Sequence, residues 1–395
     1  MRVKGLAILL AVLLSVIPLG GCGGSKTATE PNEKAETGGT AQNDKKEADN
    51  KEQKKDGFVI GFANGYIGNT WRAQFVENFE NAAKKYKEEG ILKDFQVANS
   101  NADVTQQLNQ LNSMINSGVD ALMIDPVSAT SLSSVVAKAK QKGILVVITN
   151  DPAAYEGTYA VIGNNDAFWR IQAKWIAEKL EGKGDIVQIT GLAGNTADTL
   201  RVEAAKDVLS EYPGIKVLAS VPGGWSQSEA QKVMSTFLST YNKIDGILMQ
   251  DVMAEGVLRA YENVGKELPL MTGDYTFSFL RAWKDKPEME SIGVPYAPGI
   301  AVDALRITIG LLQGKEIKED TYQPNPLNPS LKNAVMIDPP YVVTKEGKQD
   351  APWMEGLHFT KAITLDEAVK LGEGKASTAA LDASLTDEQI STFFK

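Results

Sequence analysis

The sequence of 395 residues contains one cysteine, Cys22, and one histidine, His358. A zinc site usually takes three or four ligands drawn mostly from these two residue types. A site of that kind is therefore excluded, and so is a disulfide within the chain. A nucleophilic serine or cysteine would have to use His358 as its base. The scarcity of these two residues argues against most hydrolytic enzymes.

Motifs of the common α/β enzymes are also missing. The chain has no Gly-x-Ser-x-Gly elbow and no Walker-type phosphate loop. Gly191–Gly194 follows a predicted strand but does not complete the dinucleotide-binding fingerprint. A carboxylate pair such as Asp151 and Asp274 is the remaining enzymatic alternative, since two carboxylates can cleave a glycosidic bond. We expect a protein that is not an enzyme and that uses no cofactor and no metal.

Basic residues are outnumbered by acidic ones, with 41 Lys and Arg against 50 Asp and Glu, and the formal net charge is −9. Binding to the phosphates of a nucleic acid requires a basic patch. A nucleic-acid partner is therefore not expected.

The first residues have the features of an export signal. Arg2 and Lys4 precede the apolar stretch 6–17, which is shorter than the roughly 20 residues that span a bilayer. The stretch ends in Leu19-Gly20-Gly21-Cys22, which resembles the lipobox of bacterial lipoproteins. The resemblance implies that residues 1–21 are a signal peptide and that Cys22 is lipidated at the outer face of the cell membrane. An ordinary signal peptide or a short anchor with an incidental cysteine is the alternative.

A polar segment follows the predicted lipidation site. Residues 23–57 contain no Val, Ile, Leu, Met, Phe, Tyr or Trp. Such a segment cannot bury enough apolar surface to offset the entropy lost on ordering. Residues 22–57 are therefore predicted to be the anchor site and a disordered tether.

From Phe58 onwards, short apolar runs alternate with stretches of helical periodicity. Apolar strands that alternate with helices indicate a parallel sheet covered on both faces. The number of units exceeds one ordinary domain and predicts two doubly wound α/β lobes. The predicted strands are 58–62, 95–98, 121–124, 144–149, 160–162, 186–189, 217–221, 247–249, 270–271, 291–294 and 341–344.

Polar side chains follow these strands in both halves of the chain. Ligands of open parallel sheets bind beyond the carboxyl ends of the strands. Each Asn or Asp taken alone is equally well explained as a helix cap or a turn residue. The whole series predicts a polar site, because amides, carboxylates and an arginine can satisfy the paired hydroxyls of a sugar. Trp71 and Trp225 are candidates to stack on the sugar ring. The candidate ligand residues from this pattern are Asn69, Trp71, Arg72, Asp151, Asn165, Trp225, Gln250 and Asp274.

An ordered set of segments between Phe58 and Val343 resembles the type I periplasmic sugar-binding proteins, the ribose- and galactose-binding class. No single segment is specific to this class of proteins, but the order of the segments along the chain is. The segments are Val59–Phe62, Asn69–Arg72, Gly118–Ile124, Lys142–Val147 with Asn150-Asp151, Gly191 with Arg201, Ile244–Ile247 with Gln250-Asp251, and Thr272–Asp274.

The resemblance implies two Rossmann-like lobes joined by a three-segment hinge that close on a sugar. The first lobe would comprise 58–160 and 295–325, and the second 161–294 and 326–395. By this likeness Trp71, Arg72 and Asp151 hold the ligand from the first lobe, and the second lobe contributes Arg201, Gln250 and Asp274. The Trp71-Arg72 pair is most similar to the galactofuranose-binding branch. Tyr296 stands where the family usually has a glutamine, and it is predicted to substitute for it.

The function implied is that of an extracytoplasmic solute-binding lipoprotein of an ABC importer. It would bind a monosaccharide or a small sugar derivative and deliver it, as a monomer, to the permease subunits in the membrane. The alternative is a sensory protein of the same fold that presents a sugar or an autoinducer-2-like signal to a membrane receptor.

Overall fold

The computed structural model describes residues 57–395. The predicted signal peptide, the predicted lipidation site Cys22 and the predicted tether up to residue 56 lie outside the described residues. Within the described part, no helix is both long enough and apolar enough to cross a membrane. In chain order the elements are β1 (Phe58–Asn64), α1 (Thr70–Glu88), β2 (Leu92–Asn99), α2 (Val104–Ser117), β3 (Ala121–Ile124), α3 (Ser133–Gln141), β4 (Leu145–Asn150), β5 (Tyr159–Gly163), α4 (Asn165–Lys179), β6 (Lys183–Thr190), α5 (Thr196–Ser210), β7 (Gly214–Pro222), α6 (Gln227–Thr240), β8 (Gly246–Met249), α7 (Ala254–Val264), β9 (Leu270–Thr272), α8 (Phe277–Lys284), β10 (Ser291–Ile292), α9 (Ile300–Leu312), β11 (Gln323–Asn325), β12 (Asn328–Ile337), β13 (Tyr341–Thr344), a 3₁₀ turn (Pro352–Met354), β14 (Lys361–Thr364), α10 (Leu365–Leu371) and α11 (Asp387–Ser391).

The first lobe is built on a seven-stranded sheet in the order β11-β12-β5-β4-β3-β1-β2. Every neighbouring pair is parallel except β11 and β12. All four residues of β3 are buried, because helices cover both faces of the sheet. On one face Ile60 packs in a cluster with Phe75 of α1, and on the other Leu122 packs with Leu111 of α2.

The second lobe is built on a five-stranded parallel sheet in the order β10-β9-β8-β6-β7. Its core includes Trp169 and Trp175 on α4 and Trp283 on α8, all fully buried. These strands and helices alternate along the chain as the apolar periodicity predicts. The α/β class with two doubly wound lobes is therefore confirmed.

The chain crosses between the two sheets three times, after β5, between β10 and α9, and after β12. The strands differ from the predicted lobe boundaries in two places. Strand β5 pairs with β4 and lies wholly in the first sheet, although the predicted boundary between 160 and 161 divides it. Strand β12 pairs in parallel with β5 and also belongs to the first sheet, although 326 onwards was assigned to the second lobe. Pro329 is the second residue of β12, and proline is tolerated at the first positions of a strand.

The residues after β12 form an extension that contacts both lobes. β13 and β14 pair as a two-stranded parallel sheet, and Val343 bridges Gly293 next to β10. Helix α10 lies against α8 of the second lobe, while α11 lies against α9 of the first. Both α10 and α11 begin with a capping box, in which Thr364 and Thr386 are the N-cap residues.

Candidate functional site

The carboxyl ends of the two sheets face each other across a cleft. A cavity of about 50 Å³ lies between the lobes, and it adjoins a cleft of about 600 Å³. Asn69, Arg72, Asp151 and Trp225 line both spaces. The cavity and the cleft together have a volume of several hundred Å³, which is typical of small-molecule sites. The cavity is lined by Asn69, Trp71, Arg72, Asn150, Asp151, Ala197, Arg201, Trp225, Asp251, Val252 and Tyr296.

Arg72 is the cationic centre of the first-lobe half. It lies in the first turn of α1, where Asn69 caps the helix by accepting a hydrogen bond from the Arg72 amide at 2.8 Å. Its guanidinium donates to Asp125 Oδ2 at 2.6 Å and to Asp151 Oδ2 at 2.7 Å. Asp125 follows β3 and Asp151 follows β4, so the ends of two parallel strands deliver both carboxylates. Burial opposes the charge of Arg72, but the two carboxylates raise its pKa above the usual value.

Arg201 is the corresponding centre of the second-lobe half, on α5. It is 3% exposed, and its guanidinium donates to Asn165 Oδ1 and to Asp251 Oδ1, each at 2.8 Å. The guanidinium carbon also lies 4.2 Å from the ring centre of Phe168 and 4.7 Å from that of Tyr296. Charge pairing and cation–π contacts therefore fix the side chain from several directions.

Trp225 follows β7 and is placed by its backbone and by one hydrogen bond. Its φ angle is +52°, and its Nε1 donates to Gln250 Oε1 at 2.9 Å. The amide of Gln250 in turn donates to Asp198 Oδ1 at 2.7 Å. A Cβ at Gly191 would lie 2.3 Å from the indole ring, so the ring can occupy this place only because residue 191 is glycine.

Tyr296 lies in the crossing segment between the lobes and contacts the first-lobe half of the site. Its hydroxyl donates to the Asn150 carbonyl at 3.2 Å, and its own carbonyl accepts from Trp71 Nε1 at 2.6 Å. A Cβ at Gly163 would lie 2.2 Å from the Tyr296 ring. The tyrosine predicted to replace a glutamine is thus a buried wall of the cavity.

Asp274 lies behind the cavity and does not line it. One of its carboxylate oxygens accepts from the Tyr275 amide at 2.7 Å, and the other is buried without a hydrogen-bond partner. Burial raises the pKa of Asp274 to about 7. The neighbouring Tyr275 hydroxyl donates to Asp251 Oδ2 at 2.5 Å, and Asp251 is the second-lobe carboxylate that reaches the cavity.

The cavity brings together seven of the candidate residues, namely Asn69, Trp71, Arg72, Asp151, Arg201, Trp225 and Tyr296. Asn165 and Gln250 lie one contact further out, where they hold Arg201 and Trp225. The prediction omitted Asn150, Ala197, Asp251 and Val252. Asn150 and Asp251 could have been found, because each stands beside a chosen residue at a strand end.

Three non-glycine residues of the cavity wall have a left-handed backbone. The φ angles are +61° at Asn150, +52° at Trp225 and +55° at Val252. Asparagine tolerates this region, whereas tryptophan and valine adopt it at a cost. Such strain persists only where the surroundings enforce it, as at ligand clamps.

The charges of the site nearly balance. Arg72 and Arg201 are the cations, and Asp125, Asp151 and Asp251 pair with them. The excess of carboxylate disfavours an anionic ligand, while the same groups offer paired donors and acceptors. Together with the aromatic walls, the arrangement suits a neutral molecule with several hydroxyl groups.

Comparisons with known proteins agree with this geometry. A family model described as a periplasmic binding protein domain matches residues 60–316. The xylitol-binding protein of Mycolicibacterium smegmatis is 34% identical over 268 residues, which cover 65% of this chain and 73% of that protein. The galactofuranose-binding protein of Escherichia coli is 26% identical over 264 residues, covering 63% and 81%.

Among solved structures, an ABC transporter solute binding protein from Thermobispora bispora superimposes with a TM-score of 0.62 at 26% identity. The superposition covers 82% of this chain and 98% of that one. The family match spans well over half of the sequence and includes both halves of the cleft. The chain belongs to the periplasmic binding protein family, as the ordered motifs of its sequence predict.

Proposed function

We propose that the protein is the extracytoplasmic solute receptor of an ABC importer and that it binds a neutral monosaccharide or small sugar derivative between its lobes. The observation that carries the proposal is the cavity in which two carboxylate-paired arginines lie among the rings of Trp71, Trp225 and Tyr296.

Each group has a distinct part in binding. Arg72 with Asp151 and Arg201 with Asp251 present donor–acceptor pairs that match vicinal hydroxyl groups. The indole of Trp71 or Trp225 stacks on the apolar face of the sugar ring. Because the arginines are already held by carboxylates, little ordering remains when the ligand binds.

The relatives support this ligand class. One is named for xylitol and another for galactofuranose, both neutral polyhydroxyl compounds. The relatives are binding proteins and not enzymes, and we extend that property to this chain. We further propose that lipidation of Cys22 anchors the protein and that the permease subunits dock on the closed lobes.

A thermal-shift screen of the purified protein tests the proposal. The ligands are xylitol, ribose, allose, galactose and myo-inositol, with glucose 6-phosphate and glutamate as anionic controls. A ligand at about 100 times its dissociation constant adds roughly 2.7 kcal/mol of stability and raises Tm by several degrees. Shifts with neutral polyols and none with the anions are expected. Shifts with the anions alone would contradict the proposed ligand class.

A further inference from the structure

Asp198 is a buried carboxylate of the second lobe that does not line the cavity. It lies in the first turn of α5, one helical turn before Arg201. Burial raises the pKa of Asp198, whereas the hydrogen bonds that it accepts and the charge of Arg201 lower this pKa. The start of a helix also favours a negative charge. A carboxylate can only accept hydrogen bonds, and the contacts around Asp198 depend on this property.

A single oxygen of Asp198 accepts hydrogen bonds from two different loops. Gly191 N donates to Oδ1 at 2.6 Å, and Gln250 Nε2 donates to the same atom at 2.7 Å. Gly191 follows β6 and Gln250 follows β8, which are neighbouring strands of the five-stranded sheet. One atom at the start of α5 therefore ties together the ends of two strands that lead to the ligand site.

The same two partners determine the position of the Trp225 ring. The indole lies against Gly191, where a Cβ would be 2.3 Å from the ring. The edge of the ring is held by Gln250, whose Oε1 accepts from Trp225 Nε1 at 2.9 Å. Both contacts that place this ring therefore lead back to the carboxylate of Asp198.

Asp198 also determines the orientation of the Gln250 amide. Because the carboxylate only accepts, the NH₂ group of the amide has to face it, and the amide oxygen points the other way. That oxygen meets two donors, Trp225 Nε1 at 2.9 Å and Arg201 Nη1 at 3.4 Å. An amide turned by half a rotation would place its NH₂ group against both donors. The charge of Asp198 thus selects the arrangement that holds the indole and the guanidinium.

We propose that Asp198 is a positioning residue that presents Trp225 and Arg201 to the ligand without touching the ligand itself. The carboxylate acts on both side chains through Gln250, and it supports the indole a second time through Gly191. The identity of the ligand as a sugar rests on the proposed function. The order that Asp198 imposes on the indole does not, because all of these contacts lie within the protein.

The indole N–H resonance of Trp225 in the ligand-free protein tests the proposal by NMR. Trp225→Phe identifies this signal among those of the six tryptophans. Asp198→Ala removes the acceptor and lets the Gln250 amide turn, so the indole should lose its hydrogen bond. Its signal should move towards that of a free indole, and its exchange with water should become about tenfold faster. Glu203→Ala removes an exposed carboxylate of the same helix and should leave the signal unchanged.

Two further variants distinguish the hydrogen-bonding role from a contribution to folding. Asp198→Asn removes the charge but keeps an acceptor oxygen, so it should retain the wild-type signal. Asp198→Ser keeps a polar group at the start of α5 but is too short to reach Gln250, so it should behave like Asp198→Ala. The serine variant gives the answer if the alanine variant does not fold. A wild-type signal in the folded alanine or serine variant, or a lost hydrogen bond in Asp198→Asn, would overturn the proposal.

A double-mutant cycle with the sugar found in the thermal screen tests whether Asp198 acts through Gln250. Asp198→Ala and Gln250→Met should each weaken binding by about tenfold in calorimetry. The double variant should lose clearly less than the product of the two effects, since both substitutions break the same link. Effects that multiply would contradict the proposed route. If no sugar binds, the proposed function fails, while the NMR result still decides the role of Asp198 because it uses no ligand.

Discussion

At the scale of single residues, the site is ordered by pairs of opposite charge. Arg72 touches two carboxylates at 2.6 and 2.7 Å, and Arg201 touches one at 2.8 Å. Removing one member of such a buried set leaves the others uncompensated, which costs more than the net contribution of the intact pair. Substitutions here should therefore change ligand affinity and stability together.

Arg72→Ala should weaken binding of the sugar found in the thermal screen by more than tenfold. The substitution removes two hydrogen-bond donors and leaves the carboxylates of Asp125 and Asp151 without their cation. We expect it to lower the free energy of unfolding by about 3 kcal/mol. Isothermal titration calorimetry gives the dissociation constants. Arg170→Ala is the matched control, because Arg170 pairs with Asp166 on the surface of α4, away from the cavity. Wild-type affinity in Arg72→Ala would remove this residue from the site.

Asp274→Asn should flatten the pH dependence of stability. Burial raises the pKa of Asp274 from 3.8 to about 7, with Asp251 and Glu255 nearby adding to the effect. The stability that this group contributes is fully present below its unfolded pKa. It is lost as pH rises through the folded pKa, because the folded state then has to release a proton that it holds tightly.

Urea unfolding at about pH 5 and about pH 8 measures this effect. The wild type should lose up to about 3 kcal/mol more than Asp274→Asn over this range. Burial raises the pKa of Asp125 and Asp303 in the same direction, but these groups are present in both proteins and their effects cancel. Equal slopes in the two proteins would show that Asp274 does not take up the proton.

At the scale of elements, the apolar periodicity was sufficient to predict most strands and their order. β3 and β13 begin and end at the predicted residues, because each is a short, mostly apolar run that is followed directly by a charged residue, Asp125 or Lys345. β12 was missed, since Pro329 near its start and polar residues along its exposed half hide the apolar run 334–337. Periodicity reports burial, and a strand whose first half is exposed gives little of that signal.

The site was predicted in part for a similar reason. Strand ends identify which residues come near the cleft, but they do not show which of two neighbours faces it. At 250–251 the second residue lines the cavity and the first supports Trp225. At 274–275 neither residue lines it, and the tyrosine instead holds Asp251. Such choices depend on backbone angles like the +55° of Val252, which the sequence does not reveal.

Gly191→Ala tests whether the loop after β6 determines the position of Trp225 in the loop after β7. The new methyl group would collide with the Trp225 ring, which would leave its place and weaken sugar binding by about tenfold or more. Gly194→Ala, in the same loop, is the control. Its φ is +82° and a Cβ there meets no atom within 4 Å, so it should cost about 1 kcal/mol of stability without moving the ring. Similar losses of affinity in both variants would indicate general loop strain.

At the scale of the whole molecule, the formal charge of −9 and the carboxylate excess of the cleft bear on the kind of ligand. A neutral sugar is not attracted over long range by the negative charge of the protein. Added salt therefore has little electrostatic attraction to screen. The dissociation constant should change less than about twofold between about 50 mM and about 500 mM sodium chloride. Calorimetry at the two concentrations measures it, and affinity that falls steeply with salt would indicate a charged ligand.

The pairing of β12 with β5 has a consequence for how the molecule is made. The second sheet uses one continuous stretch, 183–292, whereas the first is finished only after residues 334–337 pair with β5. A chain that emerges from its amino end can therefore complete the later lobe before the earlier one. Until then the edge of β5 is an open strand, which is prone to pair with other chains. We expect slow refolding and aggregation to originate at this edge.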